Sequence, residues 1–121
     1  MKSLLSRITL LFVAVLALQA CKDDEGPGYI PLNIVANADS GEVFQNATLE
    51  IPVLANDSNV PTNGVITLTA PQSGAVSVKD NGTPTNILDD TVEYRPDGTF
   101  VGEITFDYTV CDPSGLSCAT A

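Results

Sequence analysis

Apolar and polar positions alternate along most of this chain, and the alternation is clearest over residues 103–111. There Ile104, Phe106, Tyr108 and Val110 interleave with Thr105, Asp107 and Thr109. A period of two places the first set on one face of a strand and the second on the other. A strand central to the core is therefore predicted, with residues 116–121 as its hairpin partner. Residues 48–54 put Leu49, Ile51 and Val53 on one face, while Pro52 has no N–H to give to a ladder, which predicts a position beside an edge or a bulge. Shorter β-branched runs at 33–38, 42–45, 65–70, 75–79 and 91–94 complete the set. Turn formers separate them: the polar loop 56–64, the tight-turn signal Asp80-Asn81-Gly82, and a further loop with Pro84. No helical period is evident in this part. Strands of this length with turns at roughly eight- to twelve-residue spacing predict an all-β sandwich or barrel of about seven short antiparallel strands.

The start of the chain breaks the alternation. Behind Lys2 and Arg7, residues 8–18 (ITLLFVAVLAL) form a mostly apolar run of the kind that makes an export signal. As a helix it would reach only about 16 Å, against a bilayer core of about 30 Å, so cleavage is expected rather than a membrane span. The run ends in Leu18-Gln19-Ala20-Cys21, followed at once by Lys22-Asp23-Asp24-Glu25. The first four residues resemble the lipobox of bacterial lipoproteins. The resemblance implies a lipid on the sulfur of Cys21 as the first mature residue, and two or more acyl chains hold a protein stably on a membrane. The charged run resembles the stretch that sends many Bacteroidota lipoproteins through the outer membrane to the cell surface; its other reading is the start of a hydrated spacer. Gly26-Pro27-Gly28 then breaks regular structure. The expected organisation is a signal peptide over 1–20, a lipidated cysteine with an acidic tether over 21–32, and one folded domain over 33–121.

Charge narrows the partners. Past Ala20 only Lys22, Lys79 and Arg95 stand against all fifteen acids, a balance of −12. Such a surface repels phosphate backbones, and nucleic acid is excluded as a partner. Acidity with so few cations can mark disorder, yet the recurring Val, Ile, Leu, Phe and Tyr provide enough apolar surface for a folded core. Once Cys21 is acylated, Cys111 and Cys118 remain as an even pair, and in an oxidising compartment a disulfide is expected. A closed loop of eight residues contributes about 2.5 kcal/mol in the chain-entropy picture. The rival reading, a metal pair, lacks ligands because the chain has no histidine.

Four motifs in order carry a further resemblance. Val53-Leu54-Ala55-Asn56-Asp57-Ser58, Tyr94-Arg95-Pro96 with Phe100-Val101-Gly102, Phe106-Asp107-Tyr108-Thr109-Val110-Cys111-Asp112, and Gly115-Leu116 together resemble the bacterial Ig-like or cadherin-like repeats of cell-surface and secreted proteins. The resemblance implies an Ig-like Greek-key β-sandwich. Two departures stand out. Ala38, in Ala36-Asn37-Ala38-Asp39-Ser40, occupies a place where the family often has one of two adjacent aspartates, so one calcium ligand is missing. The last strand is short, ending at Ala119-Thr120-Ala121. Either the chain is truncated there, which is the favoured reading, or the edge of the preceding strand stays partly unpaired and open to a partner strand.

Candidate chemistry is sparse. Without histidine or a free mature thiol the commonest bases and triads are missing, and Asp89-Asp90, adjacent in sequence, does not make a glycosidase-like pair, so no enzymatic activity is expected. Asp90-Thr91-Val92 resembles a three-residue O-glycosylation motif used by some Bacteroidota, with a plain strand-start threonine as the alternative. In an Ig-like sandwich Asp57, Asp89, Asp90 and Asp112 would gather at one end as an acidic rim, a candidate site for calcium, whose ligands are hard oxygens. A rim that only keeps the domain soluble is the competing reading. The functional expectation is a lipid-anchored, outward-facing module at the outer membrane, with a structural, adhesive or protein-binding role; an accessory carbohydrate-binding or adhesin-assembly subunit is the alternative. A glycan binder usually shows several exposed aromatics, and this chain has no tryptophan.

Overall fold

The structure, a computed structural model, describes residues 28–121; the expected signal peptide, Cys21 and most of the tether lie outside the described residues. A folded unit runs from Pro31 to Ala121. Its strands are β1 (Leu49–Ile51), β2 (Val65–Leu68), β3 (Ala75–Lys79), β4 (Thr91–Arg95), β5 (Tyr108–Cys111) and β6 (Cys118–Thr120). They form two antiparallel sheets of three, ordered β1-β4-β3 and β2-β5-β6. This is the B-E-D and C-F-G arrangement of an Ig-like sandwich. The expected all-β, Ig-like fold is the observed one.

Register explains the core. Val92 of β4 lies opposite Ile51 on one side and Val78 on the other, and Tyr94 lies opposite Leu49 and Val76. In the second sheet Val110 sits between Ile66 and Ala119. The inward residues of both central strands meet Ile34, Val53 and Leu54, and Val53, Val92 and Val110 are completely covered. Each such side chain contributes about 1.5–3 kcal/mol through burial.

Several elements depart from the sequence reading. The expected strand over 103–111 is a ladder only at Tyr108–Cys111. Residues 104–107 keep the alternation of burial, but β2 stops at Leu68, and a strand needs a neighbour to bond to. The expected first strand, 33–38, is reduced to one bridge between Val35 and Ser58, so six strands stand where about seven were expected. Residues 42–45 form no strand; the amide of Ala47 donates to the Phe44 carbonyl at 3.1 Å, and the Phe44 side chain is 89% exposed. β1 ends before Pro52 and lies at a sheet edge, as the missing donor requires. One 3₁₀ turn, Ile87–Asp89, was not foreseen; the Asn86 side chain caps it by accepting from the Leu88 amide at 3.2 Å.

Candidate functional site

Among the four acids singled out by sequence, Asp57 sits in the turn after β1. Its Oδ1 accepts from the Asn37 amide at 2.8 Å and from the Tyr108 hydroxyl at 2.9 Å. The Tyr108 oxygen also lies 3.2 Å from the Val53 carbonyl and 3.0 Å from that of Asn37. A hydroxyl has one proton, and the charged carboxylate is its strongest acceptor. Burial first, then the Asp57 carboxylate, pushes the Tyr108 pKa well above the ordinary phenol value, so the group remains a neutral donor. Asn56 extends the cluster: its Nδ2 donates to the Ala38 carbonyl at 3.3 Å and to Asp39 Oδ1 at 3.2 Å, while its own carbonyl accepts from Asn37 Nδ2 at 2.8 Å. Burial and the Asp57 charge hold the Asp39 carboxyl above the usual carboxylate range.

Asp89 and Asp90 lie at the end of the 3₁₀ turn, beside the loop that begins at Asp80. Thr83 Oγ1 donates to Asp89 at 2.7 Å, and Asp80 Oδ1 accepts from the amides of Gly82 and Thr83 at 2.8 and 2.9 Å. Asn81 Nδ2 donates to the Asp89 carbonyl. Asp90 is 9% exposed; its burial, then the charges of Asp80 and Asp89, raise its pKa. Its Oδ1 and the Thr91 hydroxyl oxygen are both buried without a hydrogen-bond partner. A hydroxyl enclosed in this way is not accessible for glycosylation in the folded protein, so the Asp90-Thr91-Val92 motif is a strand start here.

Asp112 organises the β5–β6 hairpin. Its Oδ1 accepts from the amides of Leu116 and Ser117 at 3.0 and 3.2 Å, and its Oδ2 from the Ser114 hydroxyl at 2.7 Å. Gly115 takes φ +72° in this turn, a left-handed conformation that glycine adopts without steric cost. The expected disulfide is present: Cys111 and Cys118 are bonded directly across the ladder, with Cα atoms 4.1 Å apart. The Ser117 hydroxyl, next to the bridge, accepts from the Leu32 amide at 2.8 Å and ties down the start of the unit.

A profile of the bacterial Ig domain matches residues 31–121. The chain belongs to the bacterial Ig domain family. Comparison with curated proteins and with solved structures gave no match.

In this Ig domain the four acids of the expected rim, Asp57, Asp89, Asp90 and Asp112, each have surroundings of their own. Among the described residues no group of three or more Asp, Glu, Cys or His side chains is placed to hold an ion. The reason is local: Asp57, Asp89 and Asp112 each accept hydrogen bonds within their own neighbourhoods, and Asp90 is turned into the protein. The family motif residues thus act as fasteners. Val53 and Leu54 fill the core, and Asn56 and Asp57 hold residues 37–39 against the turn. Tyr94 donates to the Ser73 carbonyl at 3.1 Å, and a Cβ on Gly74 would come within 2.3 Å of the Arg95 carbonyl, so the chain can pass β4 there only as glycine. The sequence reading missed the role of Asn37. Its signal was present only as a short polar residue facing the Asn-Asp pair, and such residues are common in loops.

Proposed function

We propose that this Ig domain is an outward-facing, lipid-anchored module of the bacterial envelope, held at the outer membrane through Cys21 and serving a structural, adhesive or protein-binding role. The observation that carries the reading is a bacterial Ig domain over 31–121 following directly on a Leu-Gln-Ala-Cys stretch and an acidic tether. Domains of this family are generally non-catalytic and are often found outside the cell. Among the described residues no helix is long and apolar enough to cross a membrane. The distribution of aromatics supports contact with protein over contact with sugar: Tyr94 and Tyr108 are buried, Phe100 and Phe106 are half-buried, and Tyr29 and Phe44 are exposed. Mass spectrometry of the mature amino terminus tests the anchor, with diacylglyceryl-Cys21 as the expected first residue. Protease shaving of intact cells tests the orientation, and loss of the 31–121 unit without lysis is the expected result. An unmodified, uncleaved amino terminus would overturn the reading.

A further inference from the structure

Charge is unevenly distributed over the folded unit. Residues 31–38 and 58–78 contain no charged side chain, and residues 108–121 contain only Asp112. Asp112 is 5% exposed, and its carboxylate oxygens accept from Ser114, Leu116 and Ser117, so its charge is turned into the hairpin. Between them these segments supply all of β2, β5 and β6. Among the described residues, the outward positions at the hairpin end of that sheet are therefore uncharged: Val65 lies opposite Cys111, and Cys111 opposite Cys118. Val65 is 51% exposed, and Leu116 in the hairpin turn is 68% exposed. Asp107, the acid that precedes β5, lies at the other end of the strand. The opposite sheet differs, carrying Glu50, Lys79, Glu93 and Arg95 as two ion pairs on its outer face.

The neutral end also receives the chain. The Leu32 amide donates to the Ser117 hydroxyl at 2.8 Å, which sets the exposed Leu32 beside the residue that follows Leu116. Leu32 is the eleventh residue after Cys21. Eleven residues reach at most about 35 Å when fully extended, so a lipid on Cys21 holds this end of the unit close to the bilayer.

We propose that the neutral face at Leu32, Val65 and Leu116 rests on the surface of the bilayer in which Cys21 is anchored, turning the charged β1-β4-β3 sheet away from the lipid. This deepens the envelope reading above and rests on its lipid anchor. Charge decides the side. An anionic bilayer repels carboxylates that come within a Debye length, about 8 Å at physiological ionic strength, whereas an uncharged face can approach it. Exposed apolar side chains then gain by entering the headgroup layer. Three such side chains would hold a free protein only weakly. A tether raises the effective concentration to the millimolar range, and weak contact then suffices.

The test couples residues 21–121 through the Cys21 thiol, with the Cys111–Cys118 bridge intact, to a maleimide phospholipid in vesicles of phosphatidylcholine and phosphatidylglycerol. The vesicles also hold a lipid with a diazirine in its headgroup, and photolysis followed by peptide mass spectrometry reads which side chains meet the headgroup layer. Label is expected on Leu32, Val65 and Leu116, and not on Glu50, Asp80 or Glu93. The V65E/L116E double variant should lose that label while melting as the parent does, since both side chains are exposed. Label centred on the β1-β4-β3 face, spread over both sheets or absent altogether overturns the proposal. So does label that survives in V65E/L116E, and so does label that falls as the number of chains per vesicle rises, which means that a second copy takes the face. Because the lipid is attached chemically, the footprint does not depend on acylation in the cell. A failed footprint removes the docking and leaves the anchor standing, whereas an unmodified natural amino terminus removes the envelope reading and the docking with it.

Discussion

The phenolic oxygen of Tyr108 lies 2.9 Å from Oδ1 and 3.0 Å from Oδ2 of Asp57, joining the central strand of one sheet to the turn after the edge strand of the other. Tyr108 is 3% exposed, so the bond forms where water competes little. Removing the hydroxyl by Tyr108→Phe leaves the Asp57 carboxylate short of a donor and should cost about 1.5–3 kcal/mol, the range for a hydrogen bond to a charged group. Urea denaturation of Tyr108→Phe, Asp57→Ala and the double variant checks this. The two losses should be clearly non-additive, and simple additivity would mean the bond contributes nothing of its own.

Asp90 bears on pH. Its carboxyl, like that of Asp39, is raised above the ordinary value of 3.8 in the folded protein. The native state then holds protons more tightly than the unfolded chain, so these two groups favour folding at low pH and lose that contribution as pH rises above 3.8 through their folded values. Asp90→Asn removes a buried charge facing Asp80 and Asp89. It is expected to stabilise the domain at pH 7 and to have less effect near pH 4, as read by denaturation midpoints at both values. A destabilised variant at neutral pH would show that the carboxylate is needed as a charge.

Thr91 adjoins it with a buried hydroxyl that bonds to nothing in the protein. Thr91→Val keeps the shape and removes a desolvated polar atom, so a gain of about 1 kcal/mol is expected. The same burial predicts no glycan at this position on the folded protein, which peptide mapping by mass spectrometry would show.

Val92 and Phe44 separate size from position. Val92 is fully covered at the centre of its sheet, whereas Phe44, the larger residue, is 89% exposed. Val92→Ala should cost about 2 kcal/mol and Phe44→Ser less than about 0.5 kcal/mol in the same denaturation assay. Equal effects would mean that Phe44 is covered in solution.

The Cys111–Cys118 bridge closes a short loop already shaped by Asp112. Reduction, or replacement of both cysteines by alanine, should lower stability by about 2.5 kcal/mol in the chain-entropy picture. Denaturation with and without a thiol reductant measures it, and the fold should survive, because the core cluster contains neither cysteine.

Much of the fold was legible because it depends on a local period. Val65, Ala75, Thr91 and Cys118 all begin strands inside runs read from alternation, and Pro52 marked an edge for want of one N–H. Where the reading went too far, the cause was non-local. Residues 104–107 have the alternation of a strand, but β2 ends at Leu68 and only Asp107 bonds to the residue after it, while Phe44, inside the expected strand 42–45, is 89% exposed. The site was less legible. Asp57, Asp89, Asp90 and Asp112 look alike as letters, and only the surroundings of each made one a clamp for Tyr108, one a turn acceptor, one a buried carboxyl and one a hairpin organiser.

By itself, then, the order of residues determined the all-β Ig-like class, the pairing of the two cysteines and the strong acidity of the chain, since each follows from period, count or net charge. The tertiary structure alone decided which acids meet, which hydroxyl is enclosed and where the ladder stops. Those depend on distances between segments far apart in the chain, such as the 51 residues that separate Asp57 from Tyr108, and no local pattern contains them.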